Sequence, residues 1–360
     1  MILEVDRTDI RTTRVTEEPT PALATGQIRL AVERFALTSN NVTYAMSGDL
    51  LGYWDFFPAD GPPWGRVPAM GLGSVVESAH EDIATGGRYF GFFPMTTHHV
   101  LDARPRGEGF RDTGAHRSDH APAYVEFTRV DTDPGFRTDR ADEFLLLRGL
   151  FVTSYLVDDF LVDRGHGETR TLVTSASSKT SIALAHCLAA RGRPGVGVTS
   201  ERNAGFCEGL GLYASVVTYD DVESLDASVP STVVDMAGNS EALGRIHTHL
   251  ADALAHSCQV GATHWEAMTG PAPDLPGPTP EFFFAPAQMQ KRNADWGPGE
   301  LDRRISEAFV GFVEEADTWL TVRHSMGSQA TAEVWAELVG GATDPAVGHV
   351  CTMDADIDLD

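Results

Sequence analysis

The chain has 360 residues, 52 of them acidic and only 27 basic, for a formal charge of −25 at pH 7. That balance excludes nucleic acid and anionic membrane surfaces as partners, since both need a positive footprint. The start Met1-Ile-Leu-Glu-Val-Asp-Arg7 has no signal-peptide pattern, no apolar run reaches bilayer length, and Cys187, Cys207, Cys258 and Cys351 are too scattered to pair as metal ligands. A cytoplasmic globular protein with reduced thiols is expected.

Taken in order, Gly26–Val32 alternates apolar Ile28, Leu30 and Val32 with Gln27, Arg29 and Ala31, as in a half-buried strand. Thr38 to Gly48 follows, then an aromatic, proline-rich loop from Tyr53 to Trp64 that would suit an apolar substrate wall or a structural lid. Strand-like Ala69–Glu77, the glycine-marked Gly86–Gly91 and a run through His98 and His99 suggest a small antiparallel barrel or sheet. Ala103–Arg140, with His116, His120 and Tyr124, reads as a long irregular surface excursion of the kind that covers sites.

From Ala141 the texture changes. Leu145–Val162 reads as one helix or a pair, followed by candidate parallel strands at Leu172–Thr174, Val196–Thr199, Ser215–Thr218, Thr232–Met236, Gln259–Ala262 and Phe282–Ala285. Strand–helix alternation of this kind predicts an α/β doubly wound parallel sheet. His247, His249 and His256 fall on a predicted helix as surface or packing residues. Beyond the proline-rich loop Pro271–Pro280, the spacing predicts a helix over 300–317, a strand at Leu320–Arg323, a helix at Gln329–Val339 and a strand at His349–Thr352.

The most informative stretch is Thr171 to Gly192: a short β-rich run, the small polar residues Ser175-Ala-Ser-Ser178-Lys179-Thr180-Ser181, and a helix with Ile182, Ala185, Leu188 and Ala189 at helical spacing. A strand, tight turn and helix start present backbone N–H groups and a positive dipole end to a pyrophosphate. The usual glycines are missing. Serine hydroxyls can replace them as caps and donors, and Lys179, one of two lysines in the chain, adds a full charge. The competing reading is a buried strand and a helix capped by Ser177, with no ligand.

The order of these features resembles the medium-chain dehydrogenase/reductase superfamily, in particular its zinc-free quinone and enoyl reductases. Gly26–Val32, Tyr44…Gly48, Gly71-Leu-Gly-Ser-Val-Val-Glu77 and Gly87-Arg-Tyr-Phe-Gly91 resemble its barrel-like catalytic (GroES-like) domain, and Gly149-Leu-Phe-Val-Thr153-Ser-Tyr155 the helix before its nucleotide fold. Leu210-Gly211, Asp235-Met-Ala-Gly238 and Val260-Gly261-Ala262 resemble Rossmann landmarks, and Gly348-His-Val-Cys351 the strand that returns to the catalytic domain. The resemblance implies a catalytic domain over 1–143, a Rossmann domain over 144–319 and a return over 320–360. The Ser-Ala-Ser-Ser-Lys-Thr turn, with Phe282-Phe-Phe-Ala-Pro286 and Asp295-Trp-Gly297, is similar to a divergent branch known as a domain of unknown function. No metal site is expected, because Met70-Gly-Leu-Gly-Ser74 stands where zinc members carry ligands.

The resemblance implies NADP(H) as cofactor: pyrophosphate on Ser175, Ser177, Ser178, Lys179 and Thr180, and a 2′-phosphate on Ser200 and Arg202, with Glu201 as the residue that would favour NAD instead. Ala237, Gly238, Gly261 and Ala262, largely through backbone groups, and Phe284 would line the nicotinamide half. Tyr44 is the expected proton donor to a developing enolate or alkoxide, with His264 a weaker candidate acid or base. Lys291-Arg292 either binds a phosphate or forms a solvated face. The expected activity is reduction of an activated C=C or C=O of an apolar small molecule; an enoyl-thioester reductase and a catalytically inert NADPH-binding sensor remain the alternatives. Phe282–Pro286 is the expected edge strand of a homodimer.

Overall fold

The computed structural model describes residues 1–17, 20–260, 275–341 and 343–357. The chain forms two units, Met1–Leu146 with Leu320–Asp360, and Leu147–Trp319.

In the first unit the elements are β1 (Ile2–Asp6), β2 (Thr13–Thr16), β3 (Gln27–Leu37), α1 (Ser39–Met46), α2 (Gly48–Leu51), β4 (Trp64–Gly65), β5 (Ala69–Ser78), β6 (Gly86–Phe93), β7 (His98–Arg106), β8 (Gly109–Asp112), α3 (Pro122–Val125) and β9 (Glu126–Arg129). Strand β3 is long enough to pair with β7 near its start and with β5 along its length, and the circuit β3-β5-β6-β9-β8-β7 closes as a barrel. Closure leaves no free edge within that circuit. Phe35, Phe93, Phe110 and Phe127 fill its core.

The expected irregular excursion at 103–140 is corrected here. Strand β7 runs on to Arg106, turns at Gly107 in the left-handed region (φ 56°), and pairs with β8, which pairs with β9. Buried Ala103, Phe110 and Phe127 supply the apolar face that makes this ordered structure. A Cβ on Gly109 would lie 2.0 Å from the backbone oxygen of Phe127. Gly109→Ala must therefore spread β8 from β9, and overpacking of this kind costs about 1–3 kcal/mol. A urea midpoint equal to that of the wild type would overturn this expectation.

Helix α4 (Ala141–Asp163) is one continuous helix. The second unit then contains β10 (Arg170–Val173), α5 (Lys179–Ala190), β11 (Val196–Thr199), α6 (Glu201–Gly209), β12 (Ser215–Thr218), β13 (Ser231–Asp235), α7 (Ser240–Leu250), β14 (Leu254–Val260), β15 (Glu281–Phe283), α8 (Ala285–Trp296) and α9 (Glu300–Ala316). The chain returns to the first unit through β16 (Thr321–Met326), α10 (Ser328–Val339) and β17 (Val347–Thr352), which pairs with β3.

All pairings in the second unit are parallel, in the order β12-β11-β10-β13-β14-β15. Numbered along the chain this is 3-2-1-4-5-6, the doubly wound Rossmann order, whose topological switch point lies between β10 and β13. Two expectations shift. Ala285 opens α8 rather than ending a strand, and His256 lies on β14 rather than on a helix. His247 is fully buried on α7, its ring nitrogens on the Pro276 carbonyl (2.8 Å) and the Ser257 hydroxyl (2.9 Å).

Candidate functional site

The glycine-free turn sits where β10 ends at the switch point. Ser175 takes the left-handed conformation that glycine usually supplies, with φ 50°. Its N–H donates to the Tyr219 hydroxyl (2.9 Å), and the Tyr213 hydroxyl donates to the Ala176 carbonyl (2.7 Å), so two tyrosines clamp the turn. The glycine it lacks stands opposite: a Cβ on Gly197 of β11 would come within 3.0 Å of the Ala176 Cβ.

The N-cap of α5 is Ser178, not Ser177. The Ser178 hydroxyl accepts from the Ser181 N–H (3.2 Å) and donates to Ser181 Oγ, which in turn donates to the Thr174 carbonyl. The Ser177 hydroxyl accepts from Asn203 Nδ2 (2.8 Å), which keeps its own hydrogen available and ties the turn to the start of α6. The amides of Ser175, Ala176, Ser178 and Ser181 are thus used internally. Those of Ser177 and Thr180 have no acceptor among the described residues. Such N–H groups at a helix start are met by water, by capping side chains or by an anion. Lys179 is the first residue of that helix.

A latch that sequence reasoning did not isolate joins the two loops flanking the switch point. The Thr174 hydroxyl donates to Asp235 Oδ1 (2.8 Å) and accepts from the Met236 N–H (2.8 Å) and the Ala237 N–H (3.1 Å). Asp235 Oδ1 also accepts from the amides of Ala237 (3.1 Å) and Gly238 (3.2 Å). Both side chains are buried. The expectation that Ala237 and Gly238 offer backbone groups to a nicotinamide is narrowed accordingly: their N–H groups turn inward, leaving the carbonyl oxygens.

Ser200 is the exposed N-cap of α6, its hydroxyl making no cap bond, and Arg202 is exposed and without an ion pair among the described residues. Phe284 is 52% exposed at the start of α8. Gly261, Ala262 and His264 lie outside the described residues. Of the basic pair, Lys291 is exposed, as a solvated face requires, whereas Arg292 is buried. Lys291 Nζ holds Asp163 and Asp295, both at 2.9 Å, and Arg292 Nε holds Asp159 at 2.6 Å, so both charges are used to fasten α8 to α4.

In the first unit, Tyr44 lies on α1, whose Thr38 and Asn41 form a capping box; Asn41 Nδ2 also donates to the Pro68 carbonyl (2.9 Å). The Tyr44 ring packs against Tyr53 and Phe92 with centroids 4.5 Å and 6.4 Å away. Tyr53, Phe56, Phe57 and Phe92 are buried, so most of the aromatic loop is core rather than an open wall; Tyr44, Leu51, Met70 and Tyr124 form its half-buried margin. Burial pushes the Tyr44 and Tyr53 phenols above their ordinary range, so both stay protonated donors at neutral pH.

Arg117 holds this margin in place. Its buried guanidinium donates to the carbonyls of Phe56 (3.1 Å) and Tyr124 (2.6 Å) and lies 4.9 Å and 4.8 Å from the Phe56 and Phe57 ring centroids. His120 packs edge-on against Phe56 with centroids 4.3 Å apart. His99 faces Phe57 and is pushed down to about 3 by burial and by neighbouring Arg117, so it stays neutral. His98 is exposed. Among the described residues no group of three or more His, Cys, Asp or Glu is placed to hold a metal ion, and no helix is long and apolar enough to cross a membrane.

In fold the chain is similar to several crystal structures. One is CurA from Vibrio vulnificus in complex with NADPH, at 12% identity and a TM-score of 0.60 over 95% of this chain and 94% of that one. Another is the yhdH oxidoreductase from Salmonella enterica in complex with NADP, at 13% identity and 0.53 over 95% of each chain. A third is glucose dehydrogenase from Haloferax mediterranei, at 12% identity and 0.57 over 98% of this chain and 99% of that one. No curated protein matches the sequence. The barrel and the 3-2-1-4-5-6 sheet are those expected from the medium-chain dehydrogenase/reductase resemblance. Residues 35–344 match the family described as "Protein of unknown function (DUF2855)", and the chain belongs to that family.

Proposed function

We propose that the protein is a zinc-free, NADP(H)-dependent oxidoreductase that reduces an activated C=C or C=O of an apolar small molecule. The observation that carries this reading is the turn at the switch point, where the amides of Ser177 and Thr180 stand open at the start of α5 beside the Lys179 charge. Ser177, Lys179 and Thr180 would hold the pyrophosphate, and Ser200 with the unpaired Arg202 the 2′-phosphate. Two structures of similar fold carrying NADPH and NADP support the choice of nucleotide. When bound, the dihydronicotinamide supplies the hydride. The chain supplies orientation through the latched loops and, at Tyr44, a phenolic proton held for the oxygen on which charge develops. The same reading takes the protein as a cytoplasmic homodimer pairing through the sheet edge at β15, beside exposed Phe284; a monomeric mass in solution overturns that part.

The test is a fluorescence titration with NADPH and NADH. Lys179→Ala is expected to weaken both. Arg202→Ala is expected to weaken NADPH by roughly tenfold or more, the worth of a charge-assisted hydrogen bond, and to leave NADH unchanged. If neither nucleotide binds the wild type, the cofactor reading fails. NADPH binding with no turnover of enones, quinones or aldehydes leaves a sensor.

A further inference from the structure

The aromatic cluster of the first unit contains three phenols, and the proposed reaction uses one. Tyr53 lies between the others: its ring centroid is 4.5 Å from that of Tyr44 and 6.2 Å, edge to face, from that of Tyr124. Burial, and then the neighbouring phenols of Tyr124 and Tyr44, keep the Tyr53 hydroxyl protonated. The Tyr44 hydroxyl has no hydrogen-bond partner among the described residues, although the residue is half-buried. A phenol in that position is a donor waiting for an acceptor.

Burial opposes ionisation of Tyr44 and Tyr53, and the neighbouring phenols oppose it further. Beneath the cluster the buried Arg117 guanidinium faces the Phe56 and Phe57 rings and is paired with Asp112 at 3.4 Å, while His99 is neutral and His120 bonds the Gly52 carbonyl. Apolar Leu51 and Met70 complete the half-buried margin.

We propose that Tyr44, Tyr53 and Tyr124 form one oxyanion-binding network for an apolar ligand bearing an ionised oxygen, such as a phenolate or an enolate. Tyr44 donates to the anion directly; Tyr53 and Tyr124 are positioning residues that hold its ring and orient their O–H dipoles toward the same charge. Preorganised dipoles aimed at a developing charge favour the anion over the neutral ligand. The inference rests on the assignment of Tyr44 to the substrate side and not on the nucleotide.

The test uses 4-nitrophenol alone, without nucleotide, because its visible absorbance distinguishes the bound phenolate from the bound phenol. The wild type is expected to bind the phenolate and to lower the pH at which the bound probe ionises. Tyr44→Phe is expected to weaken phenolate binding by at least roughly tenfold, as loss of one hydrogen bond to a charged acceptor implies, and Tyr53→Phe and Tyr124→Phe, which remove only a supporting dipole, by roughly threefold each. Each phenylalanine keeps the ring, and an unchanged thermal midpoint verifies the fold. Wild-type affinity in Tyr53→Phe and Tyr124→Phe overturns the network while leaving Tyr44 as the lone donor. Failure of the wild type to bind the phenolate, or a preference for the neutral phenol, overturns the network and the substrate-side role of Tyr44 together.

Discussion

Arg117→Met is expected to destabilise the first unit by about 3–5 kcal/mol, the cost of removing one partner from a buried ion pair. The Arg117 side chain is 0% exposed and that of Asp112 is 1% exposed. Methionine fills much of the space between Phe56 and Phe57 but orphans the carbonyls of Phe56 and Tyr124 and leaves the Asp112 carboxylate without its cation. The pH dependence identifies the mechanism. Burial already raises Asp112 above the ordinary carboxyl value while Arg117 pulls it down. Removing that pull raises the folded value further, so the folded state binds a proton that the unfolded carboxyl releases. The penalty is therefore largest above the folded value and shrinks as pH falls through the window down to the unfolded value near ~4. Urea denaturation at neutral and mildly acidic pH checks both points, and a loss below about 1 kcal/mol, or one that is flat with pH, contradicts the account. Because both residues belong to one network, Asp112→Asn added to Arg117→Met is expected to cost less than the sum of the two single changes.

The same residue explains why the first unit was harder to read in the sequence than the second. Buried parallel strands such as Val196–Thr199 and Ser231–Asp235 are short apolar runs between turn residues, and that pattern is local. The burial of Phe56 is not local: it depends on a guanidinium 61 residues further along the chain. Arg104-Pro-Arg-Gly-Glu-Gly109 has the composition of a loop, yet Gly107 and the β8–β9 pairing make it a hairpin whose apolar face is visible only beside Phe127. At the turn, composition pointed to an anion site. Which hydroxyls were already spent did not follow from composition, since Ser178 and Ser177 differ only in whether they face Ser181 or Asn203. Gly197 was the available signal: a glycine inside a buried strand marks a close backbone approach, and here the turn makes it.

The latch between β10 and β13 should carry the second large effect, because it links folding to the cofactor reading. Asp235→Ala removes the acceptor of three donors, the Thr174 hydroxyl and the amides of Ala237 and Gly238, in a buried setting. The Ala237 amide keeps the Thr174 oxygen, so two donors are left unsatisfied and, at about 1 kcal/mol or more for each, the expected loss is roughly 2 kcal/mol or more. Asp235→Asn keeps an oxygen in the same place and should cost much less. Thr174→Val orphans the Met236 amide and tests the other half, whereas Thr174→Ser retains the hydroxyl and should be mild. If the latch fixes the two loops on which a dinucleotide would lie, Asp235→Ala must also weaken NADPH by roughly tenfold or more at a temperature where the variant remains folded, since misplaced loops lose the preorganisation that binding draws on. Thr174→Val and Asp235→Ala should then combine with less than additive effect, as members of one hydrogen-bonded unit. A destabilised Asp235→Ala that binds NADPH like the wild type would confine the latch to folding. A stable variant that has lost the nucleotide would make Asp235 part of the binding surface itself, with the loop positions set by the strands alone.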